Sequence, residues 1–588
     1  MLIRPATLAW HDGQPRSLEF DDIYFSADGI TEAQRVFIDP SDIINLASKQ
    51  ACVCIAELGF GTGLNFATVA QQILHKTNAR LRFISFEKHP LKIADWQKVV
   101  AARGRELPIY DELNTQPLSL VPGWQQRVLA AGRVILTVYH GDVEEGLIDL
   151  VTRQKNPVDA WFLDGFAPSK NPAMWTNNIY SQIAATAGKA TMLATFTAAG
   201  HVRRGLAAVG FEMRKVDQQP FKRESLAGRF VGSPARQTMS PTAKINIYGA
   251  GLGGACMARY IAEHGVDVHV YDPRGTAQSA SAIDAAIMHA RLLSDGTVDA
   301  EFRVSSFHFA SNYLKRFAGF TQTGVLQVKG PNLSQTKLEK LCRAYDANNT
   351  NQHDWLQNLS AQEASTRGQV KLSDAALYFP TAGVIDVPSL CSALLNHPRI
   401  HLSQTAPPIN SDATNIICAA GGTREFPGCS QLEITEVWGQ LDWYSTTAPV
   451  SRMPVVGNGY LVPTEKGCVL GATYEKEEWL TAVATKHNID MNAHYLADRD
   501  ISWQRAVRGA RAVTSDRVPI IGQLTNDTCA LWLATAFGSM GTTAAPLAAA
   551  IVGSTILGWL APTQPSILNL TRPLRFAERQ ARRGKLQN

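Results

Sequence analysis

Residues 51–74 read ACVCIAELGFGTGLNFATVAQQIL, an apolar run that passes into a glycine-rich turn and then into a helical pattern. Residues 244–265 repeat that order with KINIYGAGLGGACMARYIAEHG. A strand, a glycine turn and a helix in succession are typical of nucleotide-binding α/β folds, because the turn brings backbone N–H groups close to the ligand. Two such starts in one chain predict two nucleotide-binding domains.

The 588 residues exceed what one core usually holds, which also indicates at least two domains. Residues 232–242, GSPARQTMSPT, have the composition of a linker. In the first half, apolar runs recur between helical patterns, which predicts an open parallel sheet with strands at 51–58, 81–87, 134–139, 158–164 and 190–196. The predicted domains are 1–235 and 244–588, joined by a linker at 236–243. In the second domain we expect nucleotide-binding parts near 244–295, 370–425 and 505–588, and a substrate subdomain near 296–369 and 426–504.

Composition narrows the class of protein. The chain is 45% hydrophobic and 18% charged, with a net charge of +5, so a polyanionic partner is permitted but not required. Its nine cysteines form no CxxC pair, which predicts neither a metal site nor a disulfide framework and fits a cytoplasmic location. The apolar stretch 529–561 contains Pro546 and several glycines, so we expect a buried helix and no membrane span. No feature indicates an obligate protein partner.

The first glycine turn, ELGFGTGLNF, favours S-adenosylmethionine as its ligand. Its glycines, Gly59, Gly61 and Gly63, are spaced differently from the dinucleotide pattern GxGxxG and would let the backbone approach the methionine part closely. The next strand ends at Glu87, whose carboxylate can accept from both ribose hydroxyls. A generic glycine turn with a surface glutamate is the alternative. Glu57, Asn65 and Asp142 complete the candidate contacts with S-adenosylmethionine.

The segment DAWFLDGFAPSKNPAMW, residues 159–175, delivers Asp164 from a strand into a loop with Phe166. Methyl transfer from a sulfonium needs a neutral amine held in line. A carboxylate that accepts from the amine N–H orients the lone pair and receives the proton, while the phenyl ring covers the face of a base. Asp164 and Phe166 are therefore candidate catalytic residues. A buried aspartate that caps the next turn is the alternative for Asp164.

Together with these two segments, DDIYFS (21–26), ATFTAAGHVRRGL (194–206) and FKRESL (221–226) resemble the methyltransferase half of the MnmC family. The resemblance covers residues 10–230. It implies a class I, Rossmann-like methyltransferase that methylates the primary amine of 5-aminomethyl-uridine at the tRNA wobble position. Candidate contacts with substrate or tRNA in this half are Lys170, Arg203, Lys222 and Arg223.

The second glycine turn has GxGxxG at Gly249, Gly251 and Gly254, and the following strand ends at Asp272, in position for an adenosine ribose. This motif alone does not separate FAD from NAD. Two later segments favour FAD: IICAAGG (416–422), which contains Gly421, and AFGSMGTTAAPLAAAI (536–551). In the second segment, Gly538 and Gly541 would let a helix N-terminus approach the flavin, whose reduced ring carries negative charge.

This half resembles the flavin domain of the MnmC family and the glycine-oxidase type of FAD enzyme. The resemblance implies a DAO-like α/β domain with an inserted α+β substrate subdomain. It also implies removal of the carboxymethyl group from 5-carboxymethylaminomethyl-(2-thio)uridine, by hydride transfer to FAD and imine hydrolysis. Arg511 matches the arginine that clamps the substrate carboxylate, with a structural ion pair to Asp516 or to a neighbouring residue as the alternative. Gln440 and Tyr460 are candidate substrate contacts. The stretch 279–292 and Met540 depart from the family pattern, which makes the fold of this half safer to predict than its activity.

Arg579 and Arg582 lie on one face of a predicted C-terminal helix and are candidate tRNA contacts, although a merely solvated helix explains them as well. The leading hypothesis is a bifunctional enzyme acting on the wobble uridine in the anticodon loop of tRNA. Two alternatives stay open at this point. One is a fusion that acts on small amines, and the other is an active methyltransferase whose flavin-fold module is impaired in catalysis or only positions tRNA.

Overall fold

The strand Cys52–Leu58 lies at the centre of a mixed sheet and is almost entirely buried on both faces. This burial explains why its sequence is a continuous apolar run without alternation. The fold comes from a computed structural model that describes residues 3–11, 13–25, 28–239, 244–330, 333–349, 355–409, 412–496, 499–525 and 530–584. Residues 240–243 of the predicted linker lie outside this range.

The described residues divide into two units, and the first holds an eight-stranded sheet. In spatial order its strands are Phe211–Asp217, Glu224–Phe230, Ala187–Thr195, Val158–Leu163, Cys52–Leu58, Arg80–Glu87, Val134–His140 and Gly123–Leu129. The five predicted strands are confirmed as its continuous parallel centre. The other three pair antiparallel at the two edges, and sequence reasoning missed them.

Helices cover this sheet, and the first of them starts directly after the glycine turn. Gly63 has φ +71° and precedes the helix Leu64–Lys76, which buries most of its first two turns. The other helices of the unit are Gly29–Ala33, Asp39–Ser41, Ile43–Ala47, Ile93–Arg103, Ile109–Thr115, Val143–Arg153, Asn177–Ala185 and Gly200–Ala208, with a π-helical turn at Gln34–Ile38. A small sheet of Leu8–His11, Gln14–Ser17 and Asp22–Ile23 precedes them.

Strand register decides which side chains meet at the carboxyl edge of this sheet. Glu57 pairs with Ser85 on one side and with Phe162 on the other. Asp164 follows the end of its strand by one residue and therefore arrives beside the first glycine of the turn. A Cβ on Gly59 would lie 3.2 Å from the Cα of Gly165, so the two loops are in close contact.

The second unit contains the other predicted nucleotide-binding sheet. In spatial order its strands are Ile400–Ser403, Val268–Tyr271, Ile245–Tyr248, Thr414–Ile417, Ala530–Thr535 and Ile520–Thr525, all parallel except the last. Tyr248 pairs with both Tyr271 and Ile417. The residues that follow these three, Gly249, Asp272 and Cys418, therefore lie side by side at one edge of the sheet.

Two further sheets build the substrate part of this unit. The larger one has the order Gln357–Leu359, Ala376–Phe379, Val325–Val328, Val455–Val456, Tyr460–Thr464, Gly467–Gly471, Ile434–Thr446 and Ile501–Thr514, and the smaller one has Ala286–Met288, Gly383–Ile385 and Phe320–Thr321. The helices are Leu252–Glu263, Val298–Tyr313, Gln335–Ala344, Ala361–Gly368, Val387–Leu395, Thr481–Leu496, Gly541–Ile556, Pro565–Thr571 and Arg575–Arg582.

These sheets correct the predicted boundaries inside the second domain. Strands at 376–379 and 383–385 belong to the substrate sheets although we expected nucleotide-binding structure at 370–425. The long strand Ile501–Thr514 likewise joins the larger substrate sheet, although it extends into the predicted nucleotide-binding part 505–588. Short apolar runs show that a strand exists but do not reveal which sheet it joins.

The division into units also corrects the outer boundary. The first unit comprises Met1–Pro241 together with Ser554–Gln564, a segment that we expected in the second domain. The carbonyl of Gly558 accepts the backbone N–H groups of Lys155 and Asn156 at 2.9 and 3.0 Å, and Leu560 is buried in the apolar core of the first unit. Local sequence pattern does not show to which core such a segment contributes.

Candidate active sites

The first glycine turn has the backbone that its residue types require. Gly59, Gly61 and Gly63 all have positive φ, at +82°, +53° and +71°. The Glu87 carboxylate accepts the backbone N–H of Gly61 at 2.7 Å and that of His89 at 2.8 Å. Glu87, the residue predicted to bind the ribose, therefore stabilises the turn, and each of its carboxylate oxygens retains a lone pair that can accept from a ligand. Asp142 lies at the same sheet edge, where it caps the helix Val143–Arg153 and pairs with Lys88.

A single amide joins the buried carboxylate of Glu57 and the half-buried carboxylate of Asp164 beside this turn. The Nδ2 of Asn65 donates to Asp164 at 2.7 Å and to Glu57 at 3.0 Å, and the hydroxyl of Ser85 donates to Glu57 at 2.9 Å. Burial raises the pKa of Asp164 to about 6. Burial, and then the charge of Asp164, raises the pKa of Glu57 well above its usual range.

This network changes the expected role of one predicted residue. Glu57 is only 1% exposed, so its carboxylate lies behind the turn and supports the residues that face the ligand. Asp164 belongs to the same hydrogen-bond network, but it lies at the end of the network where the loop with Phe166 begins. Its pKa of about 6 leaves it ionised at neutral pH while making it a better proton acceptor than an ordinary aspartate.

An aromatic cluster lies next to Asp164. The ring of Phe166 stacks on Phe20 with centroids 4.5 Å apart, and Tyr24 meets its edge at 5.4 Å. Sequence reasoning proposed Phe166 but missed both partners. Tyr24 lies within the segment DDIYFS, far from Phe166 along the chain, and no local sequence pattern links the two residues.

The predicted tRNA contacts of the first unit occupy different environments. Lys222 is half-buried, with its ammonium 5.2 Å from the ring centroid of Phe196, and its pKa is lowered by burial. The neighbouring charges of Glu32 and Asp164 act in the opposite direction, which indicates that Lys222 borders the Asp164 site. By contrast, Lys170 binds the carbonyl of Asp21, while Arg203 and Arg223 are exposed.

The second glycine turn repeats the architecture of the first. The Asp272 carboxylate accepts the backbone N–H of Ala250 at 3.0 Å and that of Arg274 at 3.0 Å. Gly249 has φ +113°, and a Cβ there would lie 2.5 Å from the carbonyl oxygen of Cys418. The hydroxyl of Ser281 accepts the N–H of Leu252 at 3.0 Å, which fastens the start of the helix. Gly254 lies on this helix, directly against the turn.

A cavity of 1710 Å³ extends from this turn into the substrate part of the second unit. Ligand pockets usually measure about 300–1,000 Å³, so this volume leaves room for a dinucleotide together with a substrate. The first turn of the helix Gly541–Ile556 lines the cavity, as sequence reasoning expected. The predicted FAD residues on its wall are Gly249, Gly251, Asp272, Gly421, Gly538 and Gly541.

Arg511 and Tyr460 face the same cavity from the larger substrate sheet. Arg511 donates to the carbonyls of Trp438 and Thr473 at 3.4 and 3.3 Å. Among the described residues Arg511 forms no ion pair, and Asp516 instead pairs with Arg575 and Arg579, so the alternative of a structural ion pair for Arg511 is wrong. The Arg511 guanidinium is therefore free to bind an anion.

Two predicted substrate contacts need correction. Gln440 is 0% exposed and is absent from the cavity wall among the described residues, because its amide bonds to Asp442 and Thr485 inside the substrate part. Arg579 is held by Glu433 at 2.6 Å and by Asp516 at 3.3 Å, so its charge is already compensated. The one-face pattern of the C-terminal helix did not show that this face carries internal ion pairs. Among the described residues, Arg582 forms a single hydrogen bond, which it donates to the carbonyl of Glu578 on its own helix.

Within the described ranges, no cluster of three His, Cys, Asp or Glu residues could hold a metal ion. One helix, Gly538–Ile556, is long and apolar enough to cross a membrane, but 78% of its apolar window is buried inside the protein, as in the core helix of a globular domain.

Comparison with known families agrees with both sites. Residues 108–230 match the S-adenosyl-L-methionine-dependent methyltransferases, and residues 244–554 match the FAD dependent oxidoreductases. The chain is therefore an enzyme with a methyltransferase domain that uses S-adenosylmethionine and an oxidoreductase domain that uses FAD. Among solved structures, glycine oxidase from Geobacillus kaustophilus is 17% identical and covers 56% of this chain and 98% of its own, with a TM-score of 0.46.

Some relatives match this chain over nearly its full length, across both domains. The tRNA 5-methylaminomethyl-2-thiouridine biosynthesis bifunctional protein MnmC of Pseudomonas putida (strain GB-1) is 31% identical over 99% of this chain and 100% of its own length. The protein of the same name from Methylobacillus flagellatus is 31% identical over 98% of this chain and 96% of its own. The chain belongs to the MnmC family of bifunctional proteins.

Proposed function

We propose that this chain completes the modified wobble uridine in the anticodon loop of tRNA through two reactions. The oxidoreductase domain oxidises the carboxymethyl N–CH2 carbon of 5-carboxymethylaminomethyl-(2-thio)uridine. Water hydrolyses the resulting imine, which releases the carboxymethyl group as glyoxylate and leaves 5-aminomethyl-(2-thio)uridine. The methyltransferase domain then methylates the exposed amine to 5-methylaminomethyl-(2-thio)uridine. The observation that carries this proposal is the position of Asp164, an ionised carboxylate with a raised pKa between the glycine turn and Phe166.

For methyl transfer, this chain supplies an acceptor for the amine proton and a surface for the base. Asp164 accepts an N–H of the substrate amine, orients its lone pair and takes the proton that leaves as the new C–N bond forms. The ring of Phe166, backed by Phe20, offers a flat apolar face on which an unstacked uracil can lie. S-adenosylmethionine, bound along Gly59–Gly63 and Glu87, supplies the methyl group.

For the oxidative step, the residues of the second unit position the substrate. Gly249–Gly254 and Asp272 would hold FAD, which would supply a two-electron acceptor for the N–CH2 carbon of the carboxymethyl group. Arg511 binds the substrate carboxylate and Tyr460 lines the wall beside it.

We propose that three basic residues contact RNA phosphates, namely Lys222 and Arg223 in the first unit and Arg582 in the second.

Labelled S-adenosylmethionine tests the proposal with purified protein. We expect label to enter hypomodified tRNA that carries 5-aminomethyl-uridine, and no label to enter small primary amines. Asp164→Asn should lose about 100-fold or more of this rate, because positioned proton acceptors contribute about 10²–10⁴-fold. Asp159→Asn is the matched control, since Asp159 is a half-buried carboxylate on the strand that precedes Asp164, and among the described residues its hydrogen bond comes from the N–H of Cys54 alone. Equal labelling of small amines and tRNA would exclude the proposed acceptor.

A further inference from the structure

Arg291 is a second arginine on the wall of the flavin cavity, and the known motifs do not include it. It follows the short strand Ala286–Met288 within the stretch 279–292 that departs from the family pattern. Arg291 lines the cavity and is an exposed residue. Within the described part of the chain, no hydrogen bond or ion pair joins Arg291 to another residue. The five N–H donors of its guanidinium group are therefore available to a bound ligand that carries hydrogen-bond acceptors.

The neighbouring cations differ from Arg291 in this respect. Arg303 also lines the cavity, but Asp299 holds it with two bonds at 3.0 and 2.9 Å. Among the described residues, Arg511 bonds to two backbone carbonyls and to no carboxylate. Three guanidinium groups of the described cavity wall therefore lack a carboxylate partner, and they belong to Arg291, Arg424 and Arg511. Of these, Arg291 and Arg511 are close enough for their charges to repel each other.

The electrostatics of Arg291 agree with this geometry. Its pKa is lowered by burial and then by the positive charges of Arg303 and Arg511. A guanidinium stays protonated despite such shifts, so the excess positive charge persists in the cavity. An anion bound between Arg291 and Arg511 would relieve their repulsion and satisfy their donors.

We propose that Arg291 is a second carboxylate-binding residue of the flavin site, which shares the carboxylate of the substrate with Arg511. This inference rests on the proposed function, whose substrate carries one carboxylate on the reacting side chain. The phosphates of the cofactor are a less suitable partner, because the glycine turn at Gly249 and the helix start at Leu252 provide their binding surface on the other sheet. With two arginines, the site distinguishes 5-carboxymethylaminomethyl-uridine from its own product.

Calorimetry on the FAD-loaded full-length protein tests this inference with two nucleosides that the flavin cannot oxidise at an amine. The probe is 5-(carboxymethoxymethyl)uridine, and its partner without a carboxylate is 5-(methoxymethyl)uridine. The wild-type protein should prefer the first. Arg291→Gln should weaken binding of the first by about 10- to 100-fold, as expected for lost charge-assisted hydrogen bonds, and leave binding of the second unchanged.

Two further variants separate a specific contact from a general effect of charge or folding. Arg291→Lys keeps the charge without the planar fork and should recover part of the lost affinity. Arg303→Gln removes a nearby cation that is already paired and should change the Kd by less than about twofold. Flavin content and melting temperature establish that each variant is folded. If Arg291→Gln does not fold, the comparison of the two nucleosides is made with Arg291→Lys.

Several results would overturn the inference. Equal affinity of wild-type protein and Arg291 variants for the carboxylate probe is one, and an equal loss for both nucleosides is another. A loss that appears only with the 5′-monophosphate of the probe would assign Arg291 to a phosphate of the RNA. If Arg291 variants lose the carboxylate probe as expected while wild-type protein leaves 5-carboxymethylaminomethyl-tRNA unchanged, the proposed reaction fails and the anion site stands.

Discussion

At the scale of single residues, Asp164 makes methyl transfer depend on pH in two ways. The substrate is an alkylamine, which is protonated below about pH 9, so the rate falls about tenfold for each pH unit lost. Burial raises the pKa of Asp164 to about 6, and below that value the carboxyl becomes protonated and no longer accepts a proton. The slope of log(kcat/KM) against pH should therefore increase from about one to about two below pH 6.

Asp164→Asn should keep the slope of about one throughout, because only the amine then titrates. The measurement is kcat/KM for methylation of 5-aminomethyl-uridine tRNA between about pH 5 and about pH 8. A wild-type profile with the same slope on both sides of pH 6 would show that Asp164 does not take the proton.

Asn65 gives a second residue-scale prediction, because its amide bonds to both Glu57 and Asp164. Asn65→Ala leaves these two carboxylates without that donor and should lower the free energy of unfolding by about 1–3 kcal/mol. It should also move the acid limb of the pH profile to higher pH, since the bond from Asn65 holds down the pKa of Asp164.

Ser85→Ala is the matched control for Asn65→Ala. It removes a bond to Glu57 alone, so it should lower stability without moving the acid limb. Urea unfolding and the pH profile of a single turnover measure the two effects separately. A shift of the limb in both variants would mean that Asp164 responds to general loosening of the site.

At the scale of elements, the strand–turn–helix unit around Gly249 should depend on one backbone position. Gly249→Ala places a Cβ against the carbonyl of Cys418 at a φ of +113°, where side chains are strained. We expect this variant to be purified without FAD. Gly422→Ala is its control, since Gly422 lines the same cavity and its Cβ would meet only Ala419 at 4.0 Å. Flavin absorbance per protein distinguishes them, and normal flavin content in Gly249→Ala would contradict the assigned role of this turn.

The C-terminal helix Arg575–Arg582 offers two arginines with different expected roles. Arg579→Ala breaks the ion pairs to Glu433 and Asp516 and should lower stability by about 1 kcal/mol, with little effect on the salt dependence of tRNA binding. Arg582→Ala should leave stability unchanged and reduce the slope of log K against log salt by about one if it contacts a phosphate. Thermal melts and tRNA titrations at several salt concentrations compare them, and a reversed pattern would return Arg579 to the RNA surface.

The boundaries of these elements show where sequence reasoning stops. Both glycine turns and the five central strands of the first sheet were predicted, because a buried parallel strand followed by glycines has a strong local pattern. The antiparallel strands Gly123–Leu129 and Glu224–Phe230 were missed, since they contain charged or polar residues and no turn motif. The pairing of Arg579 with Glu433 joins residues 146 positions apart, which no local pattern contains.

At the scale of the whole molecule, the two reactions should separate cleanly in cells that lack this protein. Supplying Asp164→Asn should leave 5-aminomethyl-uridine in tRNA, because removal of the carboxymethyl group continues without methylation. Supplying Gly249→Ala should leave 5-carboxymethylaminomethyl-uridine. The double variant should match Gly249→Ala, since the oxidative step comes first. Nucleoside analysis of tRNA measures all three, and methylated product in the Gly249→Ala strain would refute this order.

The sequence by itself determined the presence of two nucleotide-binding domains, their order, their cofactors and the residues at the ends of their strands. Such features depend on contacts close along the chain, where residue type and backbone conformation are directly linked. The tertiary structure alone decided that Asn65 joins Glu57 to Asp164, that Gln440 and Arg579 point into the protein, and that Arg291 faces the flavin cavity unpaired. These assignments depend on which distant segments pack together. The local sequence around a side chain does not indicate which residue it contacts elsewhere in the fold.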